Sequence, residues 1–273
     1  MTFSQHDSTG SDQSVVKQRK PERKKRKDSG QPRWSERDYY SLQWIGEQGV
    51  IRFDQLQLLL GMQSPDKESC DAVLSPSATR NAIGRWEAKR LVNSEHIVSK
   101  EPKYYCLSNL GFQFVELQLP HYRPRKLDIH YLLSCNQARL HMEILNCRDP
   151  QEFGDPQECR FVSQRELWSR DPERNMHLPS GEFWTVKRGT LAVEVVIEPP
   201  EAAEEHMRAY AQGSLGQYSQ VWYFALSSLL PFLDETRQKL KAAGVDVSRI
   251  YTFNADAILI PAPPRKRTKK KQP

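Results

Sequence analysis

The sequence predicts an α+β protein, on three observations. Residues 35–107 pass through a helical pattern, a second short one, a capped basic helix and a two-stranded ribbon. Residues 182–197 switch to a period of two around a tight turn at 187–189, the mark of a β-hairpin. Around that hairpin, helical stretches at 127–145, 201–211 and 229–243 alternate with short apolar strands at 159–162, 220–226 and 248–252, which is the order of an α/β sandwich. The first series is the order of a winged helix-turn-helix, so the chain reads as that unit followed by a smaller α/β sandwich.

Each element has its own local reason. Ser35-Glu36-Arg37-Asp38 has the form of a capping box and opens a helix through Tyr39, Leu42, Ile45 and Gly46 that Gly49 stops. A short helix over 54–60 buries Leu56, Leu59 and Leu60 and is expected to end at Gly61. After a long polar loop, Ser77 is expected to cap a helix beginning at Ala78. Thr79, Ile83 and Trp86 recur at i, i+4 and i+7 and make its buried stripe. Arg80, Asn81, Gly84, Arg85 and Ala88 are left on the opposite face, which is cationic, amide-bearing and otherwise small. Such a face suits a major groove, where Arg reads guanine and Asn reads adenine. An ordinary solvated helix face is the alternative reading of the same residues. Ser108 opens a further helix, through Val115 and Leu117.

Pro120 to Lys126 holds two prolines and three cations and reads as a linker. The helix over 127–145 follows, with Leu132, Leu133, Asn136, Leu140 and Ile144 near the 3.6 period. The six tryptophans are scattered and are expected to be mostly core. Five cysteines (Cys70, Cys106, Cys135, Cys147, Cys159) form an odd, widely spaced set without a CxxC, which argues against a disulfide frame and a zinc knuckle.

Charge divides the chain sharply. Residues 17–27 hold eight basic side chains and residues 265–271 hold six, out of 40. The remaining 26 lie in 28–264 against 31 acidic residues, so the middle is near −5 while the whole chain is +6. Such dense like-charge blocks bury no apolar surface and are expected to be disordered tails with a sequence-independent grip on polyphosphate. No apolar run reaches 18 residues and no signal-peptide core is present, so a cytoplasmic protein without a membrane partner is expected.

Several positions together resemble a known family. The opening Ser35-Glu36-Arg37-Asp38, the ribbon end at Tyr104-Tyr105-Cys106-Leu107 with Ser108-Asn109-Leu110-Gly111, the helix at Asp128-Ile129-His130-Tyr131, Trp168, Leu178-Pro179, the strand from Val193 to Glu198, and Arg208-Ala209-Tyr210 look like the replication-relaxation proteins of plasmids and integrative elements. The resemblance covers roughly 34–245 and rests on single polar positions among hydrophobic ones. It implies a winged helix joined to a degenerate PD-(D/E)xK nuclease-like domain, and a role in replication or mobilisation. A working site of that kind needs an aspartate on one hairpin strand and an acid, one spacer and a lysine on the next, to hold Mg²⁺ and steady the developing charge. Here Ser180 stands at the aspartate position, Glu194 at the acid and Val196 at the lysine. Glu182, Glu194 and Glu198 therefore read as a vestigial acidic site, with no catalytic residue, metal or cofactor expected. No HExxH, GxxxxGK[ST] or GxSxG motif is present.

The expected organisation is a basic tail over 1–32, a winged helix over 33–119, a linker over 120–127, a nuclease-like α/β domain over 128–260 and a basic tail over 261–273. The expected function is binding of double-stranded DNA by a mobile-element or plasmid protein, in company with replication or mobilisation proteins. A metal-dependent nuclease and a protein-interaction adaptor are the alternatives. Ser77, Arg80, Asn81, Arg85, Lys89 and Arg90 on the third helix, and Lys100 and Lys103 beside the ribbon tip, are the expected DNA contacts.

Overall fold

The first helix, α1 (Glu36–Gln48), starts where its capping box places it. Ser35 Oγ accepts the Asp38 N–H at 3.2 Å, and the Ser35 N–H donates to Asp38 Oδ2 at 3.1 Å. The computed structural model describes residues 34–64, 69–96, 102–170, 177–198, 203–216 and 218–255; the two basic segments and Lys100 lie outside these. Gly49 ends α1 with φ at 88°, where a side chain would also run into the Tyr122 ring. The chain continues through strand β1 (Ile51–Arg52) into α2 (Phe53–Met62).

Two local expectations fail here for clear reasons. Gly61 does not end α2; it lies inside it, because the Ala72 carbonyl packs where a Cβ would stand. Ser77 is not the cap of α3 (Pro76–Ala88). Ser75 is, its Oγ accepting the Ala78 N–H at 3.3 Å, while Pro76 takes the first helical position, where an N–H is not needed. Strands β2 (Val92–Glu95) and β3 (Tyr104–Leu107) then form an antiparallel ribbon, and β1 joins β3 on its other edge to give the order β1-β3-β2. Helix α4 (Asn109–Phe114), capped by Ser108, is shorter than its sequence pattern because the chain turns left-handed at Glu116, φ 53°.

The second half begins with the long helix α5 (Ile129–Arg148) and a single turn, α6 (Pro150–Phe153). Strand β4 (Arg160–Ser163), helix α7 (Gln164–Arg170), strands β5 (Gly181–Thr185) and β6 (Gly189–Val196), helix α8 (Ala203–Ala211), strand β7 (Gln220–Ala225), helix α9 (Leu230–Ala242) and strand β8 (Ile250–Asn254) follow. The sheet runs β4-β5-β6-β7-β8. Strands β4 to β6 are antiparallel; β6, β7 and β8 are parallel, so α8 and α9 are the crossovers that parallel neighbours require. The α+β class expected from the sequence therefore holds. No described helix is long and apolar enough to cross a membrane.

Helix α5 carries apolar residues on two opposite faces, because both halves use it. Leu140 and Ile144 join the core of α1, α2 and α3. Cys135, Ala138 and Met142 face the five-stranded sheet. Ile129 and Leu133 pack on Val50, Tyr104 and Cys106. Buried polar groups tie the same surfaces: Asn136 Nδ2 donates to the Val50 carbonyl at 2.7 Å, and Gln55 Nε2 to the Leu133 carbonyl at 2.8 Å. The 120–127 segment is itself anchored, by Arg123 to Glu95, by Arg125 to Asp128, and at the Pro120 carbonyl by Arg165.

One composition-based expectation is corrected. Cys70 and Cys147, 77 residues apart in sequence, meet with their Cα atoms 5.8 Å apart and form a disulfide. Sequence spacing does not reveal that the fold brings the α2–α3 loop to the end of α5. The tryptophans are mostly core as expected: Trp44, Trp86 and Trp222 are buried and Trp34 packs against the helical core, while Trp168 and Trp184 are exposed on α7 and β5.

Asp38 pins α1 to α3. Its carboxylate is buried and accepts Ser35 Oγ at 2.8 Å, Arg85 Nη2 at 2.8 Å and Trp86 Nε1 at 2.9 Å. Burial alone would raise its pKa, but the hydrogen bonds of Ser35 and Trp86 and the Arg85 charge outweigh it and hold the group below its ordinary 3.8. A carboxylate depressed in the folded state stabilises the fold fully above its unfolded pKa, and that stabilisation is lost as pH falls through the folded value. The Asp38→Asn protein is expected to lose about 1–3 kcal/mol in urea unfolding at pH 7. The gap to the parent should shrink below pH 3.8, and an equal gap at pH 7 and pH 2.5 would remove the ionised carboxylate from this role.

Candidate functional site

Helix α3 presents one face that no described residue covers. Ser77, Arg80, Asn81, Gly84, Glu87 and Ala88 are exposed, and a Cβ built on Gly84 would meet no described atom within 4 Å. A glycine in a helix interior costs about 0.5–1 kcal/mol relative to alanine, and here no packing among the described residues requires it. The Arg80 guanidinium lies over the Phe53 ring, 5.7 Å from its centroid. Arg80, Phe53, Ile83, Pro102, Lys103 and Tyr105 line a groove of about 340 Å³ between α2, α3 and the ribbon, with Glu87 as its acid. Arg80 and Lys103, distant in sequence, are thus brought to one surface.

Arg85 behaves differently. It is half-buried and spends a guanidinium nitrogen on Asp38 at 2.8 Å, so its first role is to hold α3 on α1. Lys89 follows the last helical residue and is exposed. Arg90 is exposed with φ at 56°, in the left-handed region. Its N–H bonds the Glu87 carbonyl at 2.8 Å and the Leu91 N–H bonds the Trp86 carbonyl at 2.9 Å, the Schellman pairing that normally places glycine at this position. The same pairing closes α8 and α9 with Gly213 and Gly244. An arginine there keeps a long cation at the end of the exposed face at a cost in backbone strain.

The acidic positions of the second half separate. Glu182 and Glu194 share one face of the sheet on neighbouring strands, since Glu182 pairs with Ala192 in the β5–β6 register. Glu198 lies beyond the end of β6, exposed. Glu182 Oε1 accepts the Tyr218 hydroxyl at 2.8 Å and Oε2 the Trp184 N–H at 2.9 Å. Glu194, buried, takes the Tyr210 hydroxyl and lies 2.7 Å from His177 Nε2 on the same oxygen. Val196 is packed in the apolar layer under α8 and α9. Ser180 is buried and accepts the Tyr131 hydroxyl and the Val195 N–H, both at 2.9 Å. Among the described residues no group of three or more His, Cys, Asp or Glu is placed to hold a metal ion.

His177, His206, Tyr210 and Tyr218 complete this cluster and lie outside the site residues that sequence reasoning singles out. His206 and Tyr210 are one helical turn apart on α8, which is readable in the sequence; the loop that delivers His177 is not. The two imidazoles stack with centroids 4.3 Å apart. The hydrogen bond to Glu194 raises the His177 pKa despite burial, while burial and the His177 charge lower that of His206. The first proton taken up by the pair therefore goes to His177. Comparison with models of known protein families, with curated proteins and with solved structures finds no match.

A histidine raised in the folded state stabilises fully below its unfolded pKa, and the contribution is lost as pH rises through the folded value. The His177 ring protons should titrate above 6.5 in the parent protein by NMR and return toward 6.5 in a Glu194→Gln variant. An unchanged titration in the variant would refute the Glu194–His177 pairing.

Proposed function

We propose that this protein binds double-stranded DNA through α3, as a winged helix whose β2–β3 ribbon is the wing, and that the basic terminal segments strengthen the grip without reading sequence. The uncovered face of α3 carries the reading: Arg80 and Asn81 stand on it beside Gly84, which no described residue approaches. Arg and Asn are the side chains suited to guanine and adenine edges, and a glycine between them lets a helix sit deep in a groove. Lys103 lines the groove beside this face and the strained Arg90 follows the C-terminal end of α3, where phosphates of a bound duplex would pass.

The second half supports a docking or structural role. Its long helix, antiparallel strands β4 to β6, crossover helix α8 and parallel strand β7 are compatible with the nuclease-like domain that the family resemblance implies. Its two facing carboxylates are each taken up by protein donors, and an apolar Val196 occupies the lysine position. Together with the family resemblance, this points to a plasmid or mobile-element protein acting in replication or mobilisation, with DNA held by the first half and protein partners met by the second.

Separate substitutions divide binding from folding. Arg80→Ala should leave thermal stability unchanged and weaken binding to the preferred duplex by about 1–3 kcal/mol. Arg85→Ala should destabilise the fold, because it leaves the buried Asp38 without its cation. Arg90→Gly should stabilise the fold by about 1 kcal/mol, relieving the left-handed strain, while binding weakens. An Arg80→Ala protein with parental duplex affinity would dismiss α3 as the reader.

Removing residues 1–27 and 265–273 should weaken binding to every duplex alike. The slope of log affinity against log salt should flatten by about 0.9 for each phosphate that is no longer neutralised. An unchanged slope would show that these segments do not meet the phosphates.

A further inference from the structure

The five cysteines divide by environment. Cys106 and Cys135 are buried, and burial pushes each thiol up to about 12, so neither is reactive near neutral pH. Cys70, Cys147 and Cys159 are only partly buried, and all three line one cavity of about 690 Å³ between α1, α5 and β4. The Cys70–Cys147 bond is thus within reach of a small reductant.

That bond ties the α2–α3 loop to the last turn of α5, and the Asp71–Arg148 ion pair lies beside it. The loop delivers the chain to Ser75, the cap of α3. Its end is also held on α2: the Leu74 N–H bonds the Gln57 carbonyl at 2.9 Å, Gln57 Nε2 bonds the Leu74 carbonyl at 2.9 Å, and Ala72 fits against Gly61. The start of α3 therefore rests on α2 directly and on α5 through sulfur.

We propose that the Cys70–Cys147 disulfide is a redox lock on the start of α3: closed, it holds the DNA-reading helix fixed to α5, and opened by a dithiol it frees the loop and weakens DNA binding. Only the last step rests on the function proposed above. In the reaction one dithiol thiolate attacks a sulfur of the bond, and the other cysteine leaves as a thiolate and takes a proton. The second dithiol sulfur then displaces the remaining cysteine from the mixed disulfide. Cys70 and Cys147 gain two electrons and two protons, and the dithiol becomes a disulfide by losing the same. In a reducing compartment a bond of this accessibility would open and close instead of standing as a permanent staple.

The test equilibrates the full chain with oxidised and reduced dithiothreitol in graded ratio, then quenches in acid, unfolds and alkylates. Three alkylated cysteines are expected at the oxidising end and all five at the reducing end, with a Cys70–Cys147 linked peptide only in the former. Hydrogen exchange at the Leu74 amide should quicken by roughly tenfold on reduction, as a local constraint is removed. Cys70→Ser and Cys147→Ser proteins should show the fast exchange even in oxidising buffer, and Cys159→Ser should respond as the parent does. Five alkylated cysteines at every ratio, or equal Leu74 exchange in both states, overturns the lock. A loop that responds while no duplex is bound in either state overturns the reading of α3 and leaves the lock standing. Measurable but equal duplex affinity in the two states overturns the coupling between them.

Discussion

The arrangement of the molecule depends on Arg139. Its guanidinium is buried at the meeting of α1, α5 and β4, bonded through Nη1 to Glu47 at 2.7 Å and through Nε to Glu143 at 2.7 Å. It lies over the faces of Trp44 and Phe161, 4.7 and 5.4 Å from their centroids. The Trp44 N–H adds a third bond to the cluster by donating to Glu143 at 3.1 Å. A charge removed from water costs several kcal/mol unless its partners are in place; Glu143 on the same helix and Glu47 on α1 offset that cost here. Sliding α1 along α5 would leave the buried Glu47 unpaired, so this cluster fixes the register of the two helices where apolar contacts alone would tolerate slip. Arg165 holds the same C-terminal end of α1, donating to the Gly46 and Pro120 carbonyls.

With that frame fixed, the two candidate surfaces contrast in how their polar groups are used. On α3 the internal needs are met by Asp38, Arg85 and Trp86, which leaves Arg80 and Asn81 facing outward. On the sheet the reverse holds. Glu182 and Glu194 face the same way, but tyrosine, tryptophan and histidine donors have closed around them. A carboxylate oxygen that already accepts protein donors is a poor start for an octahedral Mg²⁺ site, because a ligand bond there must first displace a protein one.

The parts legible in the sequence are those set by short-range chemistry. The Ser35 capping box, the Gly49 stop and the buried stripe of Thr79, Ile83 and Trp86 each depend on residues within two turns of one another. The misreadings come mostly from longer reach. Gly61 looks like a terminator because the Ala72 carbonyl that needs its space is eleven positions away. Ser77 looks like the cap of α3 only while Pro76 is not given the first helical position, which hands the role to Ser75. The β1 strand, α6 and α7 are too short to establish a period, and the Cys70–Cys147 pair exists only once α5 has docked. The acidic pair on the sheet is found by resemblance, whereas its histidine and tyrosine partners arrive from a loop and a crossover helix.

The double membership of α5 has a consequence for how this chain could be inherited. Leu140 and Ile144 complete one core while Cys135, Ala138 and Met142 complete another, from alternating sides of the same five turns. A recombination break placed just before α5 would strip the helical half of part of its interior and leave Trp44 and Glu47 facing water without Arg139. The two halves are bound to travel together, and a lineage that altered the exposed face of α3 would have to do so by substitution on that helix, not by swapping the unit that carries it.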